Sequence, residues 1–515
     1  MHPTLPAPGR LLRRRPILGA IGTLPLLRAA SAQGAVAHRV TLLHLNDFHS
    51  RHGPVDPRAV SCRSGVPDCF GSSPRLATAI REQRRAAEAD GRTVFLLDAG
   101  DQFQGSLFYT AHHGRAELAV QHAVGTDVMT LGNHEFDNGP ANLGRFLDGA
   151  RFPVLAANID VSAEPLLAGR VRPFTILERG GLRLGVVGLS TQEARTSSSP
   201  GPNVRFDDPA EALPGAIAAA RAAGAQIVVL LSHLGLPIDK TLSGPAVIVG
   251  GHTHTLLSND EPGASGPHPT VAEGPLIVQA GAYGRYLGRL DLDLAADGTV
   301  LAYGGGCRHV GLELPEDPEV ADIVSGFAAP LEALRQRPVT TLAAPLDAGP
   351  CRVGPCRFGF FAADTLRKAA HGATIGLMNA GGLRVGMPAG PLTLGQVLDS
   401  LPFGNTLATA TLTGADLVET ARHGLLMTGR GAFAQWAGLR LAGADLSGPT
   451  FEVQAADGAW GPVDPSARYL IATNNFVRSG GDGYTALRDR AINPYDSGPG
   501  VADLIADALG EQTGL

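Results

Sequence analysis

Seven residues of the types that hold metal ions lie between positions 47 and 254: Asp47, His49, Asp101, Asn133, His233, His252 and His254. Carboxylate, amide and imidazole ligands together suit Zn, Mn, Fe or Co better than Ca or Mg alone. A two-metal centre needs about this many ligands, and one carboxylate commonly bridges the pair. Singly, each residue says little, because an Asp after a strand commonly caps a helix and an isolated His is commonly structural. The set is more specific: Gly100, Gly132, Gly250 and Gly251 adjoin it, and glycine lets the backbone approach closely. Read together, the seven imply one dinuclear centre.

The elements that must position them follow from hydrophobic patterning. Arg39–Leu45, Thr93–Asp98, Asp127–Leu131, Pro153–Ala157, Leu182–Leu189, Ile227–Ser232 and Ala246–Val249 are short apolar runs bounded by turn signals, the pattern of buried strands. Ser73 to Ala89, Gly114 to Val124 and Pro209 to Ala223 read as helices between them. Strand alternating with helix predicts a layered α/β domain. Asn46-Asp47, Gly100-Asp101, Gly132-Asn133-His134, Ser232-His233 and Gly250-Gly251-His252 each follow a strand directly, and in open α/β sheets ligands bind beyond the carboxyl ends of strands. From Pro315 to Gln336, Val320, Ile323, Phe327 and Leu331 recur at helical spacing and predict a connector helix. Past about Val339 the strands Thr374–Met378, Thr406–Leu412 and Tyr469–Thr473 alternate with Gly- and Asn-rich loops, a second α/β or α+β domain. His44, His52, His112, His113 and His122 lie inside a strand, in a loop or on helices, and read as structural or solvated.

A chain of 515 residues, 44% hydrophobic and 17% charged, has the composition of a soluble enzyme of several domains. A net charge of −6 argues against a partner such as a nucleic-acid polymer. Arg13-Arg14-Arg15, an apolar run from Pro16 to Leu27 and Ala30-Ser31-Ala32 resemble a twin-arginine export signal over residues 1–32. No later run is long and apolar enough to span a bilayer, so a mature protein free of the membrane, periplasmic or secreted, is expected. Cys62 with Cys69 and Cys351 with Cys356 bracket loops of six and four residues and read as local disulfides, leaving Cys307 as a buried thiol.

The strings Leu43-His44-Leu45-Asn46-Asp47-Phe48-His49, Asp98-Ala99-Gly100-Asp101, Gly132-Asn133-His134-Glu135-Phe136-Asp137, Ser232-His233-Leu234-Gly235 and Gly250-Gly251-His252-Thr253-His254 resemble the motifs of calcineurin-like metallophosphoesterases, and in order and spacing those of the secreted 5′-nucleotidase family. The resemblance implies an α/β protein: an N-terminal metallophosphoesterase β-sandwich flanked by helices (39–314), a connector helix (315–338) and a C-terminal α/β substrate domain (339–515). It implies two divalent ions, such as Zn, Mn or Co. Asp47, His49 and His254 would hold the first, Asp101 would bridge, and Asn133, His233 and His252 would complete the second. His134, paired with Asp137 one helical turn on, would assist catalysis without ligating metal: a carboxylate would keep the imidazolium charged, ready to stabilise phosphoryl oxygens or protonate a leaving alkoxide. A plain helix-capping role for Asp137 is the competing reading.

Asn379-Ala380-Gly381-Gly382-Leu383-Arg384, Leu401-Pro402-Phe403-Gly404-Asn405 and the stretch Thr473 to Tyr484 supply two aromatics with Asn, Arg and Asp. A nucleotide demands such a set: aromatic faces stack a base, arginine forks a phosphate and a carboxylate accepts from ribose. The resemblance places Phe403 and Phe476 on the base, Asn379 near it, Asp482 on the ribose, and Arg352 and Arg384 on phosphate. Gly359-Phe360-Phe361, where the family usually has Gly-Asn-Leu, and Ala380, where it usually has Gly, are departures that bear on substrate preference. The expected activity is phosphate removal from nucleotides by in-line attack of a metal-activated hydroxide. Alternatives in the same superfamily are a 2′,3′-cyclic phosphodiesterase, a nucleotide-sugar or nucleoside diphosphate hydrolase, and a thiosulfohydrolase. A non-enzymatic binding protein would be expected to have lost ligands, and none is missing. Native metal, preferred base and oligomeric state stay open.

Overall fold

The computed structural model describes residues 35–56, 62, 69–271, 274–443, 448–496 and 498–511, with a short backbone strand at Arg28–Ala29. Apart from that strand, the expected export signal lies outside the described residues. Among the described residues no helix is long and apolar enough to cross a membrane.

Two sheets face each other in the N-terminal half. One orders His38–Leu45 beside Thr93–Asp98, Val128–Thr130 and Val154–Leu155, with the hairpin Tyr286–Leu294/Val300–His309 on its other side. The other carries Leu182–Ser190, Ile227–His233, Val247–Gly250 and Leu276–Val278 side by side and parallel. Alternation decides what meets between them: Val40, Leu42, Phe95 and Leu97 pack on Val186, Val229, Leu231 and Val249. Leu43, Leu45, Val94 and Leu96 point the other way, onto the helix Ser73–Ala89. Parallel register brings the carboxyl ends together, Leu45 beside Asp98 in one sheet, Ser190 beside His233 and Ser232 beside Gly250 in the other. The expected sandwich flanked by helices is what forms.

The C-terminal half is built on a five-stranded sheet ordered Ala434–Ala437, Ile375–Asn379, Arg468–Asn474, Leu407–Thr413, Ile492–Tyr495. Helices Arg357–Ala369 and Val501–Glu511 share one core with it. The connector differs from the single helix predicted over Pro315–Gln336. It is two helices, Pro318–Ala328 and Leu331–Arg335, broken at Pro330. Proline lacks the amide hydrogen an uninterrupted helix would use and its ring crowds the preceding turn. The first piece is tied to the N-terminal half, where Arg81 pairs with Asp317 at 2.7 Å, and the second to the C-terminal half, where Arg335 pairs with Asp399 at 2.9 Å.

Candidate metal centre and adjoining pocket

All seven ligand candidates sit at or just past strand ends, and the four histidines gather around the two wholly buried carboxylates, Asp47 and Asp101. Asp47 Oδ1 lies 3.4 Å from His254 Nε2 and 3.9 Å from both His49 Nε2 and His233 Nε2. Asp101 Oδ2 lies 3.0 Å from His233 Nε2 and 3.8 Å from His49 Nε2. Three overlapping groups have the spacing to hold a cation: Asp47, His49 and His254; Asp101, His233 and His252; and His49, Asp101 and His134. The first is the set expected for one ion and the second, with the wholly buried Asn133 in the adjoining loop, the set expected for the other. Asp47, His49, Asp101, His252 and His254 all have left-handed backbone, φ between 51° and 72°. Such residues cost about 1–3 kcal/mol each and persist only where their surroundings hold them.

The hydrogen bonding fits divalent cations. His49 Nδ1 lies 3.2 Å from the Phe103 carbonyl, His233 Nδ1 2.7 Å from the Ala99 carbonyl, and His252 Nε2 3.0 Å from the Glu193 carboxylate. Oxygens that only accept make those nitrogens the protonated ones, so the other nitrogen of each ring turns a lone pair to the cluster. Asp101 Oδ2 and His233 Nε2 are buried there with only each other at 3.0 Å, and His252 Nδ1 is buried without a hydrogen-bond partner among the described residues. Burial disfavours a proton on His233, yet Asp101 overrides it and pulls the pKa up to about 10. The proton stands in for the positive charge the cluster is built to attract.

His134 lies beside this cluster, with Nδ1 2.7 Å from Asp137 Oδ2 and Nε2 buried without a hydrogen-bond partner among the described residues. Against the cost of burial, Asp137 and then Asp101 hold its imidazolium up to about 9. Asp137 in turn accepts from Ser198 Oγ at 2.8 Å. His134 is also within ligand range of His49 and Asp101, so proximity alone does not separate an acid from a ligand. Two positioning groups had no role assigned from the sequence. Glu135, wholly buried, accepts the N–H groups of Gly132 (2.7 Å), Gln102 (2.8 Å) and Asp101 (3.1 Å), locking two ligand loops together. Glu193 follows the strand Leu182–Ser190, which carries no ligand, so no motif drew attention to it. His44, His52, His112, His113 and His122 take no part in the cluster among the described residues.

The six residues expected on substrate meet in one pocket of about 440 Å³: Arg352, Asn379, Arg384, Phe403, Phe476 and Asp482 all line it. Arg384 Cζ is 5.5 Å from the Phe403 ring centre, and Phe476 is 40% exposed, unusual for a core aromatic. A relay of amides fixes the floor: Asn474 donates to Asn379 Oδ1 at 3.0 Å, and Asn379 donates to Asp482 Oδ2 at 2.8 Å. Both close cysteine pairs are disulfides. The Cys351–Cys356 loop is braced by Gln435, which donates to the carbonyls of Cys351 (2.7 Å) and Gly354 (2.8 Å) and accepts from Cys356 N–H at 3.0 Å. Cys307 is free and half-buried, its thiol pushed up to about 12 by burial. Tyr283, from the N-terminal half, also lines the pocket, and its ring lies 5.7 Å from that of His49 and 5.3 Å from that of His254. No motif marks it, since a tyrosine after Gly281-Ala282 carries no ligand signature.

Comparison with known proteins agrees with this geometry. A family model described as calcineurin-like phosphoesterase matches residues 40–256, and one described as 5′-nucleotidase, C-terminal domain, matches residues 338–489. A 5′-nucleotidase of Diplobatis ommata is 31% identical over 523 residues, covering 93% of this chain and 89% of that protein. The trifunctional nucleotide phosphoesterase protein YfkN of Bacillus subtilis is 32% identical over 500 residues; the match covers 87% of this chain and 32% of that much longer protein. The crystal structure of a 5′-nucleotidase precursor from Thermus thermophilus is 36% identical with a TM-score of 0.61, covering 92% of this chain and 96% of that one. The chain therefore belongs to the 5′-nucleotidase family of calcineurin-like, divalent-metal phosphoesterases.

Proposed function

We propose that this protein removes phosphate from nucleotides, working outside the cytoplasm with two divalent ions of the Zn, Mn or Co class. The observation that carries the reading is the shared wall: Tyr283 lines the pocket of two phenylalanines and two arginines while touching the imidazoles of the metal candidates. In this reading residues 39–314 form the metal domain, 315–338 the connector and 339–515 the substrate domain. Asp47, His49 and His254 would hold one ion, and Asn133, His233 and His252 the other, with Asp101 shared between the two sets. When bound, such a pair supplies a nucleophile from water near neutral pH and neutralises charge on the phosphoryl oxygens.

The remaining steps belong to the chain. Phe403 and Phe476 stack the base. Asp482, oriented by Asn379, accepts from a ribose hydroxyl, and Arg352 and Arg384 fork phosphate oxygens. Water's oxygen joins phosphorus as the ester P–O bond breaks. His134, kept charged by Asp137, gives its proton to the leaving oxygen. The two disulfides support an oxidising compartment.

Phosphate release from nucleoside mono-, di- and triphosphates, 2′,3′-cyclic nucleotides and nucleotide sugars, compared across Mn, Zn, Co and Mg, tests the proposal. Turnover of p-nitrophenyl phosphate with none of a nucleotide would overturn it. Action on more than one class of nucleotide phosphoester is the second reading, favoured by the similarity to a trifunctional nucleotide phosphoesterase.

A further inference from the structure

Asp482, the acidic residue of the substrate pocket, stands among three glycines in the stretch Gly480-Gly481-Asp482-Gly483. Glycine loses more backbone freedom on folding than any other residue, so such a turn keeps one shape only where its surroundings fix it. Asp482 is itself left-handed, with φ 56° and ψ 14°, a conformation that costs a residue with a side chain about 1–3 kcal/mol. The hydrogen bonds inside the turn are local. Gly480 N–H reaches the Val477 carbonyl at 3.0 Å, and Gly483 N–H reaches the Gly480 carbonyl at 3.2 Å. Neither ties Asp482 to the rest of its domain.

The tie comes from 59 residues earlier in the chain. His423, in the last turn of the helix Gly414–Leu426, has Nε2 2.9 Å from the Asp482 carbonyl oxygen. A carbonyl only accepts, so Nε2 carries the hydrogen and donates it. The imidazole lies close against Gly483, where a methyl group would stand 2.9 Å from Cε1 and 3.1 Å from Nε2. Only a residue without a side chain admits that approach, at φ 87°. The same imidazole meets the Tyr484 ring edge-on, 4.8 Å between centres, and the Tyr484 hydroxyl donates to the Ala432 carbonyl at 2.6 Å. The turn also backs a stacking residue: a methyl group at Gly481 would fall 2.6 Å from Cε2 and Cζ of Phe476.

Asn379 grips the Asp482 carboxylate at 2.8 Å, which fixes where the side chain ends but leaves the main chain beneath it free to pivot. His423 supplies the second point, on the main chain. We infer that His423 is a positioning residue for nucleoside recognition: by holding the Asp482 carbonyl it aims the Asp482 carboxylate at the ribose. It acts through the turn, not on the substrate. With the donor removed, the carbonyl turns to water and the glycines let the turn swing, carrying the carboxylate off its line. The metal candidates belong to the other half of the molecule and stay as they are. This inference rests on the nucleotide reading above.

The test compares metal-loaded wild type with His423→Leu, which keeps bulk but loses the donor, and His423→Gln, which keeps an N–H at similar reach. Equilibrium binding of adenosine is measured beside turnover of AMP and p-nitrophenyl phosphate. In His423→Leu, adenosine affinity should fall about three- to tenfold, the worth of one neutral hydrogen bond, and KM for AMP should rise in step. Its kcat for AMP and its hydrolysis of p-nitrophenyl phosphate should change less than about twofold, a split that general unfolding would not produce. His423→Gln should recover most of the lost affinity. In an Asp482→Ala background, His423→Leu should cost nothing further, because the two residues act as one unit. Unchanged adenosine affinity in His423→Leu, an equal loss with and without the Asp482 carboxylate, or no recovery in His423→Gln would overturn the inference while leaving wild-type nucleotide hydrolysis standing. A wild type that neither binds nor hydrolyses any nucleotide would remove the nucleotide reading and this inference with it.

Discussion

The two halves of the active cleft are built by opposite means. The metal candidates project from the ends of paired strands, wholly or largely buried, with ring nitrogens pinned on backbone carbonyls and five backbones held left-handed. The substrate pocket uses strand ends only for its amide floor, the Asn474–Asn379–Asp482 relay; its aromatics and arginines sit on turns and short helices, and it leaves Phe476 substantially exposed. The contrast separates tasks. Cation geometry tolerates little error and is placed on tightly held turns at the ends of paired strands, whereas base stacking tolerates adjustment and is placed on a turn and a short helix.

Replacing one half should therefore leave the other working. The largest effect is expected from Asp101→Ala, which should abolish turnover by about three orders of magnitude or more, with metal content falling but adenosine affinity retained. Loss of adenosine binding as well would break the separation. His134→Ala should lower kcat by about a hundred- to ten-thousandfold at full metal content; coincident metal loss would make His134 a ligand, as its place near His49 and Asp101 allows. Phe476→Ala should raise KM for AMP about five- to a hundredfold, the worth of one stacked base, with p-nitrophenyl phosphate hydrolysis changed less than twofold. Reducing the Cys351–Cys356 bridge should weaken AMP binding by several-fold, about 1 kcal/mol, without change in metal stoichiometry; equal loss of both would contradict the division.

A last effect, on stability and not on activity, concerns Asp503, which faces the seam between the halves. Burial first and then Asp507 raise its carboxyl to about 6. A group raised on folding contributes fully below its unfolded value near 3.8 and loses that contribution as pH rises through about 6. Discounted for solvent access, wild type should lose about 1–2 kcal/mol of stability between pH 4 and 7 from this group. Urea unfolding of Asp503→Asn across that range should show the slope removed.

What could be read from the residues follows the same division. Strands such as Thr93–Asp98 and helices such as Ser73–Ala89 carry their own apolar periodicity and boundary signals, and they form over the predicted residues. Ligands at strand ends were legible because a parallel sheet brings carboxyl ends together whatever its strand order. Phe403 and Phe476 were not distinguishable from core residues by pattern and needed the family resemblance to stand out. Glu193, Tyr283 and Gln435 were invisible, since each acts across a gap between distant segments and has no spacing of its own. The hairpin Tyr286–Leu294/Val300–His309 was missed although Asp297-Gly298 supplies a turn signal, and the connector's break was missed although Pro330 stood in plain view.

The left-handed conformation at Asp47 and Asp101 also bears on engineering. Asparagine, like aspartate, tolerates that backbone better than most residues and is nearly the shape of aspartate, so Asn at these positions would preserve the loops while removing a charge. Libraries scored only for soluble expression would thus retain such changes and fill with correctly folded, inert scaffolds, and selection for a new cation must apply its pressure to loading itself.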